Sequence, residues 1–244
     1  MMNETEINTL NKLQESLQIH FKNLELLKNA LIHRSYLNEI PGKHNISHNE
    51  RLEYLGDAVL ELIITEFLFH TYPDFKEGEL TSFRAATVRT SSLAETAQIL
   101  KLGEYLYLSK GEERTGGRER PYILANTFEA LLGAIFLDQG LDTAKDFLSR
   151  VLIPKISEIV TNRLDIDSKS KFQELAQEHF GITPVYELIS EKGPDHAKEF
   201  IMAVKIGANI FGQGRGHNKQ EAESSAALEA LNSWPDLLAK YKKN

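Results

Sequence analysis

Asn49-Glu-Arg-Leu-Glu-Tyr-Leu-Gly-Asp-Ala-Val-Leu60 is the stretch on which the reading of this chain turns. Its apolar residues recur at three- and four-residue spacing, the period of an amphipathic helix that continues to about His70. Glu50, Glu53 and Asp57 stand at i, i+3 and i+7, so at about 100° per residue they share a sector of about 60°. The residues four positions beyond them are Tyr54, Asp57 and Glu61, so no lysine or arginine relieves the repulsion along the helix. A hard divalent cation with oxygen ligands would relieve it, and Mg²⁺ is the usual choice where phosphate is the substrate. Spacing alone fits a solvated acidic stripe equally well, and Glu61 extends that stripe.

A second anomaly lies further along. In Phe128-Glu-Ala-Leu-Leu-Gly-Ala-Ile-Phe-Leu137 every residue except Glu129 is apolar or glycine, so the helix must be buried on most sides. A carboxylate there is costly unless it is neutralised, hydrogen-bonded or bound to a metal. A core glutamate paired with an arginine and a metal ligand both satisfy that requirement. Asn126, one turn earlier, adds a polar group to the same face.

From Ile7 to about Ile159 the pattern is a succession of helices with few alternating runs, which makes this half all-α. Breaks fall at Pro41-Gly42, Tyr72-Pro73 and Gly103, and the polar Gly111-Glu-Glu-Arg-Thr-Gly-Gly-Arg118 reads as a mobile loop. The character changes after Asn162. A helix from Lys169 to His179 is followed by strands near Val185–Glu191, Glu199–Ile206 and Asn209–Gly212, then a helix from Lys219 to Trp234. The division expected is an all-α domain over residues 1–162, a linker at 163–168, a small α+β domain of order α-β-β-β-α over 169–235, and a basic tail at 236–244.

Composition narrows the classes. At 244 residues and 41% hydrophobic content the chain can build a large core and a small one. With no cysteine it has neither disulfides nor a thiolate zinc site, which suits a reducing compartment and leaves any metal to oxygen or nitrogen ligands. The first residues lack the basic start and apolar run of a signal peptide, and no apolar run is long enough for a bilayer, so a cytoplasmic protein with no membrane partner is expected. The net charge of −7 argues against binding of nucleic acid by bulk electrostatics. Residues 1–164 carry 18 lysines and arginines against 23 acids, and residues 165–233 carry 7 against 11, so any such contact must come from local patches.

Taken together, these residues resemble a known family. Asn49 to Leu60 is similar, at nine or more of twelve positions, to the signature of the ribonuclease III nuclease domain. Supporting segments follow in order: Ala30-Leu-Ile-His-Arg-Ser-Tyr36, Glu77-Gly-Glu-Leu-Thr81 with Arg84-Ala85, Ser91-Ser-Leu-Ala94, Gly111-Glu112, and Ala125-Asn-Thr-Phe-Glu-Ala-Leu-Leu-Gly133. The resemblance spans residues from about 20 to 155, and the α-β-β-β-α unit resembles a double-stranded-RNA-binding domain. It implies an endoribonuclease that hydrolyses duplex RNA with Mg²⁺, Mn²⁺ being a substitute, and without an organic cofactor. The expected products are 5′-phosphate and 3′-hydroxyl ends, in the processing of ribosomal and messenger precursors. By position, Glu53, Asp57, Asn126 and Glu129 match the metal-binding set, Asp57 and Glu129 being catalytic as well. Glu50 and Glu77 match acids that complete the cleavage site. The resemblance also implies a homodimer, with Tyr54 packing into the partner subunit. Helix position alone fits an ordinary core aromatic equally well.

Two departures stand out. The family's usual acid at position 126 is here an asparagine, which can coordinate but adds no negative charge. A non-cleaving duplex-binding protein, weakened at Asn126, is therefore the competing reading. A helical phosphohydrolase acting on small phosphoesters is disfavoured by the second domain. In that domain Gln173 and Glu174, the loop with Pro194 and His196, and the segment with Arg215, Asn218 and Lys219 match the RNA-contacting regions. Such a module spans roughly 16 bp of A-form duplex through two minor grooves and the phosphates between them. Gln220 stands where the family has a second lysine, which removes one phosphate contact.

Overall fold

The computed structural model describes residues 2–39, 47–163, 168–193 and 198–241. Contacts divide the chain into two units, Met1–Asp165 and Ile166–Asn244. The first contains α1 (Glu4–Leu17), α2 (Leu24–Ala30), α3 (Glu50–Thr71), α4 (Glu77–Val88), α5 (Thr90–Ile99), α6 (Lys110–Arg114), α7 (Pro121–Gln139), α8 (Leu141–Val151) and α9 (Ile153–Asn162). Short 3₁₀ turns occupy Arg34–Glu39, Leu102–Tyr105 and Gly117–Glu119.

The helix ends are set by local chemistry. Asn3 and Glu6 form a reciprocal capping box, Asn3 accepting from the Glu6 N–H at 2.9 Å and Glu6 accepting from the Asn3 N–H at 3.0 Å. Pro121 sits in the first turn of α7, where its missing N–H costs nothing. At the other end Gly140, at φ 88°, takes a left-handed turn that a side chain would resist. Asp138 reaches across to accept the Lys22 and Asn23 N–H groups at 2.7 and 2.8 Å, tying the segment before α2 to the end of α7.

Helix α7 is the central element. From Ile123 to Ile135 every residue is buried except Asn126 and Glu129, which lie three apart on one face. Helix α3 crosses it at two glycines. A Cβ on Gly56 would be driven into the Glu129 carbonyl, and one on Gly133 into the Leu52 carbonyl, so the two backbones touch where they cross. Phe83, Phe128 and Phe147 fill the surrounding core, and each is fully buried.

The Gly111–Arg118 stretch is not a loose loop: it folds as α6 followed by a 3₁₀ turn. Two arginines account for the difference. Arg118 donates to the Gly103 and Leu106 carbonyls at 2.8 and 3.1 Å and pairs with Glu113 at 2.7 Å. Arg120 binds the Glu112 carboxylate and the Thr115 carbonyl. These bonds satisfy backbone groups that a polar sequence would otherwise leave to water.

The second unit contains α10 (Ser168–Phe180), β1 (Val185–Lys192), β2 (Glu199–Ile206), β3 (Asn209–Gly216), α11 (Lys219–Asn232) and α12 (Trp234–Tyr241). The three strands form an antiparallel sheet in the order β1-β2-β3. Strand β3 runs four residues beyond the expected Gly212. The added residues include Gly214 and Gly216, which with Gly212 form an alternate row turned toward α11, and a Cβ on any of the three would collide with that helix. Gly214 and Gly216 are therefore seats for a helix. The basic tail expected at 236–244 is corrected as far as Tyr241. Trp234, Leu237, Leu238 and Tyr241 have helical spacing and pack as α12 against the core formed by Phe172 and Phe211. Pro235 falls in the first turn of that new helix, where proline is tolerated.

Candidate active site

The crossing of α3 and α7 brings Glu53 and Asp57 together with Asn126 and Glu129. The Asn126 amide donates a hydrogen bond to the Glu53 carboxylate, and both Glu53 and Asp57 act electrostatically on Glu129. Glu129 is pushed up to about 7, first by burial and then by the charges of Asp57 and Glu53. Glu53 is also raised, by burial and by Glu50 and Asp57, and the bond from Asn126 partly offsets this. Among the described residues the charges acting on Glu129 are negative only, so they do not build the alternative of a core glutamate paired with arginine.

Neighbouring acids behave differently. Glu61, which extended the stripe in sequence, pairs with Arg84 of α4 at 2.8 Å, and the same guanidinium donates to Thr65. Its charge is thereby answered, while those of Glu53 and Glu129 are not. Glu50, at the first position of α3, lies 3.6 Å from Arg34 and 3.8 Å from His48. Sequence reading passed over both partners, although Arg34 lay in a segment already singled out and His48 adjoins the signature. Glu77 stands apart. It opens α4, exposed, accepts from the Thr81 hydroxyl at 3.2 Å, and is not among the charges acting on Glu53 or Glu129.

Among the described residues no three acids or histidines converge closely enough to hold a metal unaided. The donor set nevertheless suits a hard cation. It is made only of carboxylate and amide oxygens, and it holds two acids whose protonation is favoured by burial and by neighbouring carboxylates, a strain that an Mg²⁺-like ion would relieve.

Comparison with known proteins agrees with this geometry. Residues 23–156 match the family model for Ribonuclease-III-like domains, and residues 168–233 match that for the double-stranded RNA binding motif. Ribonuclease 3 of Desulforamulus reducens is 48% identical over 221 residues, 91% of this chain and 89% of that protein. Ribonuclease 3 of Listeria monocytogenes is 44% identical over 226 residues, 93% and 98% of the two. The chain belongs to the ribonuclease III family. Among solved structures, the nuclease domain of ribonuclease III from Campylobacter jejuni aligns with a TM-score of 0.55 and 42% identity, covering 59% of this chain and 96% of that one; its description names a flexible region involved in dimer formation.

As a ribonuclease III, the chain is an endoribonuclease specific for double-stranded RNA, with a helical nuclease domain and an α-β-β-β-α binding domain. In the binding domain Gln173 and Glu174 are exposed on α10, with Glu174 held by Lys171 at 3.0 Å. Arg215 is exposed on β3, on the side opposite the glycine seats. Asn218 is the N-cap of α11, its side chain accepting from the Glu221 N–H at 2.9 Å. Lys219 and Gln220 are exposed in the first turn. Pro194 and His196 lie outside the described residues. Across the described residues no helix is long and apolar enough to cross a membrane.

Proposed function

We propose that this enzyme cuts each strand of an RNA duplex at the crossing of α3 and α7, with Mg²⁺ or Mn²⁺ held by Glu53, Asp57, Glu129 and the amide oxygen of Asn126. The observation that carries this is Glu129: a carboxylate raised to about 7 beside two others, in the stretch 123–135, whose residues apart from it and Asn126 are buried. When bound, the metal supplies positive charge that polarises the phosphodiester and lowers the pKa of the attacking water. Glu50 borders the site, acting on Glu53 and lying 3.6 Å from Arg34, while Glu77, which stands apart from the four donors, is assigned to it by the family resemblance alone. A P–O bond forms to water, the bond to the 3′ oxygen breaks, and that oxygen leaves as a hydroxyl. The products are 5′-phosphate and 3′-hydroxyl ends.

Purified protein incubated with labelled duplex RNA and Mg²⁺, followed by analysis of the end groups, tests the reading directly. Absence of cleavage at every metal concentration overturns it. Asn126→Asp sharpens the test, because a carboxylate there restores a full negative charge to the donor set. The Mg²⁺ concentration giving half-maximal cleavage should fall by about tenfold, the scale on which groups around a metal tune its affinity. An unchanged or higher requirement shows that Asn126 is not part of the metal's surroundings.

The enzyme acts as a homodimer in the cytoplasm, in processing of ribosomal and messenger precursors, and contacts duplex RNA through Gln173, Glu174, Arg215, Asn218, Lys219 and the loop with Pro194 and His196. Support for the dimer is a stripe on α3: Tyr54 is 82% exposed, and Leu62 and Phe69 continue its face at 54% and 66%. Exposed aromatic stripes of this kind usually meet a partner. Tyr54→Arg should weaken self-association by at least tenfold in sedimentation; an unaltered dimer rules out this face.

A further inference from the structure

A cavity of about 700 Å³ opens in the first unit beside Glu50, with His33, Arg34, Asn38, His48, Glu112 and Tyr122 among its walls. Glu53, Asp57 and Glu129 take no part in it. Its volume lies in the range of pockets that hold small organic ligands, about 300–1,000 Å³, and is larger than a lone phosphate needs.

The wall chemistry is mixed. Arg34 offers a largely exposed guanidinium suited to a phosphate. Two carboxylates, Glu50 and Glu112, make the cavity poor for an anion alone. Tyr122 supplies a half-exposed ring that is held in place: Arg120 donates to its hydroxyl at 3.2 Å and lies 5.7 Å from its centre. Arg120 is itself bound to Glu112, so two walls brace each other. His33 Nδ1 lies 2.8 Å from Ser35 Oγ and 3.3 Å from the Ser35 N–H, so that side of the ring is held by Ser35. His48 Nδ1 is buried with no hydrogen-bond partner among the described residues, and the Glu50 oxygen at 3.8 Å is too far to serve. An unsatisfied ring nitrogen, neighbouring polar groups and an aromatic face together match the edge and face of a nucleobase.

We propose that this cavity takes a single unpaired nucleotide of the RNA substrate, extruded from the duplex next to the scissile bond. Its phosphate meets Arg34 and its base lies against Tyr122, with His33, Asn38 and His48 at the base edge. The proposal rests on the cleavage of duplex RNA described above. A paired base must first be unstacked to enter, whereas a bulged one has already lost its partner, so the cavity favours sites flanked by a bulge.

The full-length chain carrying Glu129→Gln, which keeps the RNA intact, is titrated with two duplexes. One is fully paired, and the other has one unpaired 2-aminopurine nucleotide beside the cleavage position. Wild-type Tyr122 should change the 2-aminopurine fluorescence. Adding Tyr122→Ala should remove that change and weaken binding of the bulged duplex by about fivefold or more, the value of one base–aromatic stack, while sparing the paired duplex. Tyr122→Phe should retain both effects. Equal loss on the two duplexes, or none on the bulged one, overturns the proposal. If Tyr122→Ala lacks a normal unfolding transition, Asn38→Ala, at an exposed position, is read by the same criteria. Cleavage of the paired duplex by the unsubstituted chain is followed in parallel. Its absence counts against the enzymatic reading and leaves the binding comparison to decide the cavity.

Discussion

Glu129→Gln is expected to abolish cleavage of duplex RNA, leave duplex binding nearly unchanged, and stabilise the metal-free protein above neutral pH. The first two effects follow from position. Glu129 reaches the site from α7, whereas the residues matched to RNA contact lie in the other unit. Groups that only support metal ligands cost 10–100-fold when lost, so a direct ligand should cost at least ~10²-fold in rate. The third effect follows from the raised carboxyl. Folding lifts Glu129 from 4.5 to about 7, so the folded chain holds that proton more tightly than the unfolded chain does. The resulting stability is fully present below pH 4.5 and is lost as pH rises through 7. Discounted for partial contact with solvent, the loss is roughly 2 kcal/mol. Glutamine keeps the shape and cannot ionise, so in thermal unfolding without metal the variant should exceed the wild type at pH 8 and match it near pH 4. Loss of duplex binding equal to the loss of cleavage, or a lower unfolding temperature at pH 8, would mean that Glu129 serves the core rather than the reaction.

Gly56→Ala should have the largest effect on folding of any single methyl addition in the nuclease domain. The added Cβ meets a backbone carbonyl, that of Glu129, with Gly133 beyond it. No rotamer change can relieve that collision; the helices themselves must separate. Overpacking a core typically costs about 1–3 kcal/mol when side chains can yield, and here they cannot, so a loss above about 4 kcal/mol is expected. Any folded fraction should also cleave poorly, because parting α3 from α7 draws Glu53 and Asp57 away from Asn126 and Glu129. Gly78→Ala is the control: its Cβ would meet nothing within 4 Å, and it lies in a helix where alanine is favoured. Equal stability of the two variants in urea would show that the crossing tolerates expansion.

What could be read in the sequence depended on range. The burial of α7 was legible because ten residues with one charge leave a helix no solvated side. The spacing of Glu50, Glu53 and Asp57 was legible for the same local reason. Their separation from Glu61 was not, since it is made by Arg84, twenty-three positions away on another helix. The order in residues 111–118 was hidden because Arg118 finds carbonyls at Gly103 and Leu106, bonds that no local pattern signals. Exposure of Tyr54 could not be told from burial, because periodicity places a residue on a face without saying what covers it. Helix α12 was missed because the lysines at its end read as a charged tail, while Trp234, Leu237, Leu238 and Tyr241 supply a packed apolar face. Asn126 was noted as a departure, but its bond to Glu53 required the crossing angle of two helices.

The glycine row of β3 has a consequence for measurement of the RNA duplex. Three seats at alternate residues hold α11 at three heights along its length, against the backbone near Ala222, Ala226 and Ala230. A helix seated in this way can neither slide by a turn nor roll, because each movement would drive main chain into main chain. The distance from Arg215, on the far side of the strand, to Lys219, at the helix tip, is therefore fixed by peptide geometry and owes little to side-chain volume. With Arg215 and Lys219 touching RNA as proposed, such a rigid gauge would register the pitch of a double helix while remaining indifferent to the letters written along it.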